Sequence, residues 1–271
     1  MADRVRAQVL GRALRVAADR AGAPSGVRFT ERQLYYELCR TLLPVPRGVR
    51  RPAFTVPAPV RYPDFLAALA DHGPVPGLLT PEPARRSPAG RHTPEPDLFD
   101  YGLPRLLVCE SDGIAQMLRA NGVPMESACP VLSAAELPLD PRVAGMLTLV
   151  ERATIYLLHE ASADGLTFRD RLPGLTDVPA GVRVVALGLR PRQAGSLHLT
   201  HLSGPPTDLE SAVDPWERAW LRRGRFVEVD AVRPASLLRT VHRLVREVRP
   251  RGTSTQWGRV RASGFLTWPT A

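Results

Sequence analysis

Twice in this chain an apolar run of strand length stops at an acid and a glycine turn. The first is Leu103-Pro-Arg-Leu-Leu-Val-Cys-Glu110-Ser-Asp-Gly113. The second is Thr154-Ile-Tyr-Leu-Leu-His-Glu160-Ala-Ser-Ala-Asp164-Gly165. A short continuous apolar run bounded by turn residues reads as a buried strand. An amphipathic helix over 114–120 follows the first. In a parallel sheet the carboxyl ends of the strands share one edge, and ligands bind at that edge. Glu110, Glu160 and Asp164 are therefore expected to converge. Converging hard oxygens suit Mg²⁺, with positions left open for phosphate oxygens.

The residues around these runs continue the alternation. Residues 128–133 and 182–188 are further strand candidates, 136–153 a helix and 165–172 a short helix. Strands alternating with helices imply a parallel sheet covered on both faces, an α/β fold. Upstream, 2–21 is an amphipathic helix. Thr30 with Gln33 three residues later forms a capping box. The helix it starts should run to about Leu42 and stop before Pro44. Two helices across a Gly/Pro turn suit a helix-turn-helix or winged-helix module. Residues 80–97 are polar and proline-rich, a flexible linker. The expected organisation is thus a Tyr-bearing module over 1–79, a linker over 80–102, a sheet domain over 103–190 and a C-terminal extension over 191–271. Residues 191–208 read as irregular.

Composition narrows the chemistry. The 36 basic residues against 27 acids give a net charge of +9. None of the 36 is lysine, so every one is an arginine. Guanidinium forks suit phosphate. The absence of lysine excludes a Walker-type P-loop and Schiff-base chemistry. No apolar run is long enough to span a membrane, and arginines interrupt the first residues where a signal peptide would need an apolar stretch. Cys39, Cys109 and Cys129 lack metal-ligand spacing, so a reduced, cytoplasmic setting is expected.

With these motifs in order, the chain resembles the topoisomerase VI A subunit and the related meiotic double-strand-break transesterases. Residues 103–190 are similar to the Toprim domain, whose first strand delivers a Glu and a later strand an Asp-x-Asp for Mg²⁺. Glu110 matches the first position. Against the topoisomerase form Asp-x-Asp-x-Asp-Gly the chain has Glu160-Ala-Ser162-Ala-Asp164-Gly165, so only Asp164 and Gly165 match by letter. Arg32-Gln-Leu-Tyr-Tyr36 resembles the Arg-x-Ile-Tyr/Phe-Tyr motif, which places Tyr36 at the position that attacks DNA. Asp214-Pro-Trp216-Glu, Arg225-Phe-Val-Glu228-Val-Asp-Ala231 and the helix-like run after Ser236 are similar to the family's tail. The resemblance implies double-stranded DNA as partner, Mg²⁺ (Mn²⁺ possible) on Glu110, Glu160 and Asp164, and a homodimer. The chain has no ATPase motif, so strand passage would need a separate ATPase partner.

Three function classes follow. In the first, Tyr36 attacks phosphorus and Arg32, one turn earlier, lowers its pKa or holds phosphate. In the second, a Toprim nuclease of a defence system uses water and Tyr36 is structural. In the third, Ser162 has dismantled the metal site and a DNA-binding or scaffold subunit remains. Each candidate also has a plain structural alternative. Tyr36 packs in a core with its hydroxyl satisfied. Glu110 pairs with an arginine or caps a helix, and Asp164 is a cap. His159 is a packed imidazole, since no partner His lies at ligand spacing. Arg47, Arg50 and Arg51, the proposed DNA contacts after the Tyr helix, are solvated surface.

Overall fold

The N-terminal part of the chain is helical. α1 (Ala2–Ala21) and α2 (Glu31–Leu42) pack on one another, followed by the two-residue β1 (Val56–Pro57) and α3 (Tyr62–His72). The computed structural model describes residues 2–24, 26–45, 52–82, 101–209 and 214–246. Then come β2 (Arg105–Cys109), α4 (Asp112–Ala120), α5 (Val123–Ser127) and β3 (Val131–Ser133). α6 (Pro141–Thr148), β4 (Thr154–Leu158), α7 (Ala163–Leu166), α8 (Phe168–Leu175) and β5 (Arg183–Ala186) follow. The remainder is α9 (Pro191–Ser196), β6 (Thr200–Ser203), α10 (Pro215–Leu221), β7 (Arg225–Phe226) and α11 (Pro234–Val245).

The two acid-ended runs are neighbouring strands. β2, β3, β4 and β5 form one sheet in the order β3-β2-β4-β5, and every pairing is parallel. Cys109 lies opposite Leu158, so both strands end level. Their side chains divide by alternation. Leu107, Cys109, Tyr156 and Leu158 enter one core with α1, α2, α4 and α11. Leu106, Val108, Ile155 and Leu157 enter the other with α6 and α8. Burial on both faces explains why these strands read as unbroken apolar runs.

Two expectations need correction. Residues 136–153 are not one helix. A single 3-10 turn (Ala134–Glu136) is followed by an extended break at Leu137, and α6 starts at Pro141 on the Asp140 cap. Pro138 and Pro141 explain the break, because proline denies the helix interior an amide and forces the residue before it out of helical geometry. Residues 191–208 are not irregular throughout. They hold α9 and β6.

The strands outside the main sheet form a second one, ordered β1-β6-β7. β1 pairs parallel with β6 at Val56–Thr200, and β6 pairs antiparallel with β7. The strand of the N-terminal region is thus tied to residues far along the chain. No described helix is long and apolar enough to cross a membrane.

Thr30 is the sharpest local determinant of how α2 sits. Its hydroxyl accepts from Gln33 N at 3.0 Å, while Gln33 Oε1 accepts from Thr30 N at 2.9 Å, completing the expected capping box. The same hydroxyl donates to Asp230 Oδ1 at 2.5 Å. Thr30→Val therefore removes a cap and strips a buried carboxylate of a donor. Urea unfolding should show a loss of about 1–3 kcal/mol. A loss within error of zero would mean that the contact to Asp230 does not hold α2.

Candidate functional site

The parallel register brings Glu110 and Glu160 to one edge. The ladder runs one step past the strands, with Glu110 N donating to Leu158 O at 2.9 Å. Glu160 N then finds no carbonyl and donates to the Glu110 side chain at 2.9 Å. Gly165 allows α7 to fold back on this turn, since a Cβ there would overlap the Glu160 carbonyl. Ser162 is the N-cap of α7, accepting from Gly165 N at 2.9 Å.

Glu110, Glu160, Ser162 and Asp164 all line one cleft of about 460 Å³. Asp164 is exposed, and its charge raises the Glu110 pKa, as burial does more strongly. Arg171 stands 3.7 Å from Glu110. His159 turns away from the cleft. It is buried, its Nδ1 lies 2.9 Å from the Glu160 carbonyl, and burial pushes its pKa down to about 4. It is the packed imidazole expected.

Two acids that the motif reading gave no role complete the site. Glu228 lines the same cleft, and Asp230 is buried beside it. Both lie in the segment after β7. Val227 exchanges backbone hydrogen bonds with Ala161, at 2.9 and 3.0 Å, and Val229 N donates to Glu160 Oε2. Burial raises the Glu160 carboxyl well above the ordinary range, and Asp230, Glu228 and Glu110 push it the same way. Glu228 is the residue before a 3-10 turn (Val229–Ala231) that carries Asp230, and no local sequence pattern marked either as a site residue.

Tyr36 and Arg32 meet this site through Glu228. Arg32 donates to Glu228 Oε1 at 2.6 Å, and Tyr36 Oη donates to Oε2 at 3.0 Å. Tyr36 is fully buried. Burial pushes its hydroxyl well above the ordinary tyrosine value. Glu228 adds to that shift and Arg32 opposes it. The expected lowering by Arg32 is present but outweighed by burial and by Glu228. Tyr35, also buried, instead donates to Val60 O at 2.7 Å. Arg47, Arg50 and Arg51 lie outside the described residues.

Among the described residues no three His, Cys, Asp or Glu side chains gather closely enough to cage a metal ion. Mg²⁺ asks for less. One or two carboxylates with water and phosphate suffice. Glu110 and Glu160, side by side at the sheet edge, are the carboxylates that would serve in that smaller role, with Arg171 3.7 Å from Glu110. Comparison of the chain with protein-family models, curated proteins and solved structures found no match, so the site is read from its own residues.

The acid cluster should register in stability. Asp230 is pushed up to about 7, chiefly by burial, with Thr30 opposing and Glu228 adding. A carboxyl with a raised folded pKa holds its proton better folded than unfolded. Its contribution is present at low pH and lost as pH rises from about 4 to about 7. Fully expressed, the shift amounts to about 4 kcal/mol. Asp230→Asn, unfolded by urea in the presence of chelator, should lose stability less steeply than wild type across that window. Parallel curves would show that Asp230 titrates normally.

Proposed function

We propose that the chain binds double-stranded DNA and cleaves its phosphodiester backbone at this cleft, by a Mg²⁺-dependent hydrolysis of the Toprim type. The observation that carries the reading is the meeting of Glu110, Glu160, Asp164 and Glu228 on one cleft at the carboxyl edge of a parallel sheet. The sheet adjacency β2-β4-β5 is the arrangement that the resemblance to Toprim domains requires. Glu110, Glu160 and Asp164 would hold the ion, and Mn²⁺ would serve in its place. When bound, it supplies charge neutralisation at the phosphoryl oxygens.

The chain's own groups divide the remaining work. Glu110 orients the turn after β4 by accepting from Glu160 N. Glu160 fixes the 228–230 segment through Val229 N. Raised carboxyl pKa values at such an edge are the mark of groups arranged for function more than for stability. Water is the nucleophile favoured here, because Tyr36 is fully buried and its proton is held more tightly than usual.

One observation favours the tyrosine transesterase as the second reading. Tyr36, Glu228 and Arg32 form a nucleophile, a base and a group orienting that base, all in hydrogen-bond reach. In one chain the hydroxyl already lies against an acid of the cleft, so a homodimer, which the resemblance implies, is not needed to bring the two together.

Supercoiled plasmid with Mg²⁺ or Mn²⁺, run on denaturing gels with and without protease, separates the readings. Hydrolysis predicts nicked or linear DNA insensitive to protease. Tyr36→Phe should retain at least about half the activity, and Glu110→Gln should lose at least about a hundredfold. A protease-sensitive DNA–protein species that Tyr36→Phe abolishes and Tyr35→Phe keeps would replace hydrolysis with transesterification. Binding without cleavage under either metal would leave a DNA-binding or scaffold subunit.

A further inference from the structure

The acid-lined cleft has a second wall, and that wall carries a cation without a counter-charge among the described residues. Ser203 in β6 lies opposite Arg225 in β7. Just before Arg225 the chain turns at Gly224, with φ 65°. A Cβ at 224 would overlap the Gly204 carbonyl oxygen, and Gly204 N donates to Gly224 O at 2.7 Å. Two backbones in such close approach leave the base of the Arg225 side chain little freedom. Arg225 lines the cleft with Glu110, Glu160, Asp164 and Glu228.

Other arginines near the cleft are committed. Arg32 pairs with Glu228, Arg171 lies 3.7 Å from Glu110, and Arg222 pairs with Asp208. Among the described residues Arg225 has neither an ion pair nor a side-chain hydrogen bond, although it is half-buried. Its imidazole neighbour offers no compensation. His201 is buried, and burial first and Arg225 second push its pKa down, so it is neutral at neutral pH. The Arg225 guanidinium thus shares one cleft with several carboxylates without pairing to any of them.

That charge pattern is selective. A simple cation is repelled by Arg225, and a simple anion is repelled by the acids. A phosphate group accompanied by a divalent cation satisfies both walls, with its non-bridging oxygens in the guanidinium fork. We propose that Arg225 grips the backbone phosphate of the DNA in this cleft. The proposal rests on the function proposed above and assigns the phosphate contact within it.

The test is equilibrium binding of a short fluorescein-labelled DNA duplex to the full chain, by anisotropy across a salt series, in Ca²⁺. Arg225→Gln should weaken binding about tenfold or more and lower the slope of log K against log salt by about 0.9. Arg225→Lys keeps the charge and loses the fork, so it should keep the slope and lose part of the affinity. Arg223→Gln, an exposed change of equal charge in the same turn, should cost no more than about twofold. Variants are compared at matched thermal stability, and the lysine variant carries the test where the glutamine variant does not fold. If wild type binds and the Arg225 variants do no worse than Arg223→Gln, the assignment of Arg225 is overturned while DNA binding stands. If wild type does not bind the duplex even at low salt, the DNA reading itself is overturned, and the phosphate contact with it.

Discussion

The architecture of the site depends on the short segment Val227–Ala231. Its backbone is tied to the turn after β4 by the Val227–Ala161 pair and by Glu160 on Val229 N. From the other side α2 grips it. Arg32 and Tyr36 hold Glu228, Thr30 holds Asp230, and Arg40 donates to the Ala231 carbonyl. Carboxylates buried this way are costly unless hydrogen-bonded or paired. The N-terminal helices supply those partners. Docking of α2 and formation of the acidic cleft are therefore one event, and neither wall is complete without the other.

This arrangement crowds acids together, and burial with mutual repulsion raises the pKa of Glu160 and Asp230. Two like charges about 4 Å apart repel by about 1 kcal/mol in water and about 4 kcal/mol at the effective dielectric of a protein surface. Hydrophobic residues in these positions would avoid that cost. The fold carries it at the edge where strand ends, a helix cap and a cleft coincide, whereas the buried carboxylates Glu37 and Glu217 elsewhere are each paired with an arginine. A conflict between local stability and placement at a cleft is what the proposed site would lead one to expect.

The parts of this design legible in the sequence were those written locally. The apolar runs ending at Cys109 and Leu158 and the Thr30/Gln33 capping box each sit within a few residues, and each is found where expected. What stayed hidden depends on contacts across the chain. β1, β6 and β7 are too short to show a period, and they exist because Val56 meets Thr200 and Leu202 meets Phe226. The Thr30–Asp230 contact spans 200 positions and Tyr36–Glu228 spans 192, so no local pattern announces either. Pro138 and Pro141 already forbid one continuous helix over 136–153.

Tyr36 shows how proximity and availability differ. Its hydroxyl lies 3.0 Å from a carboxylate that Arg32 orients, which satisfies the geometry of an activated nucleophile. Yet the ring is fully covered, and the forces acting on its proton favour retention. Each pKa unit by which the phenol exceeds an acceptor adds about 1.4 kcal/mol to moving that proton. Water would need no such uncovering, since Glu110, Glu160 and Asp164 line the cleft, and its own higher pKa is what the proposed metal ion would lower there. For Tyr36 to attack, α2 would have to loosen from Glu228, and the same movement would release Arg32 and disturb the clamp on residues 227–231. Transesterification would thus require α2 to shift from the segment that builds the site, whereas the hydrolysis proposed above would use the cleft as it stands.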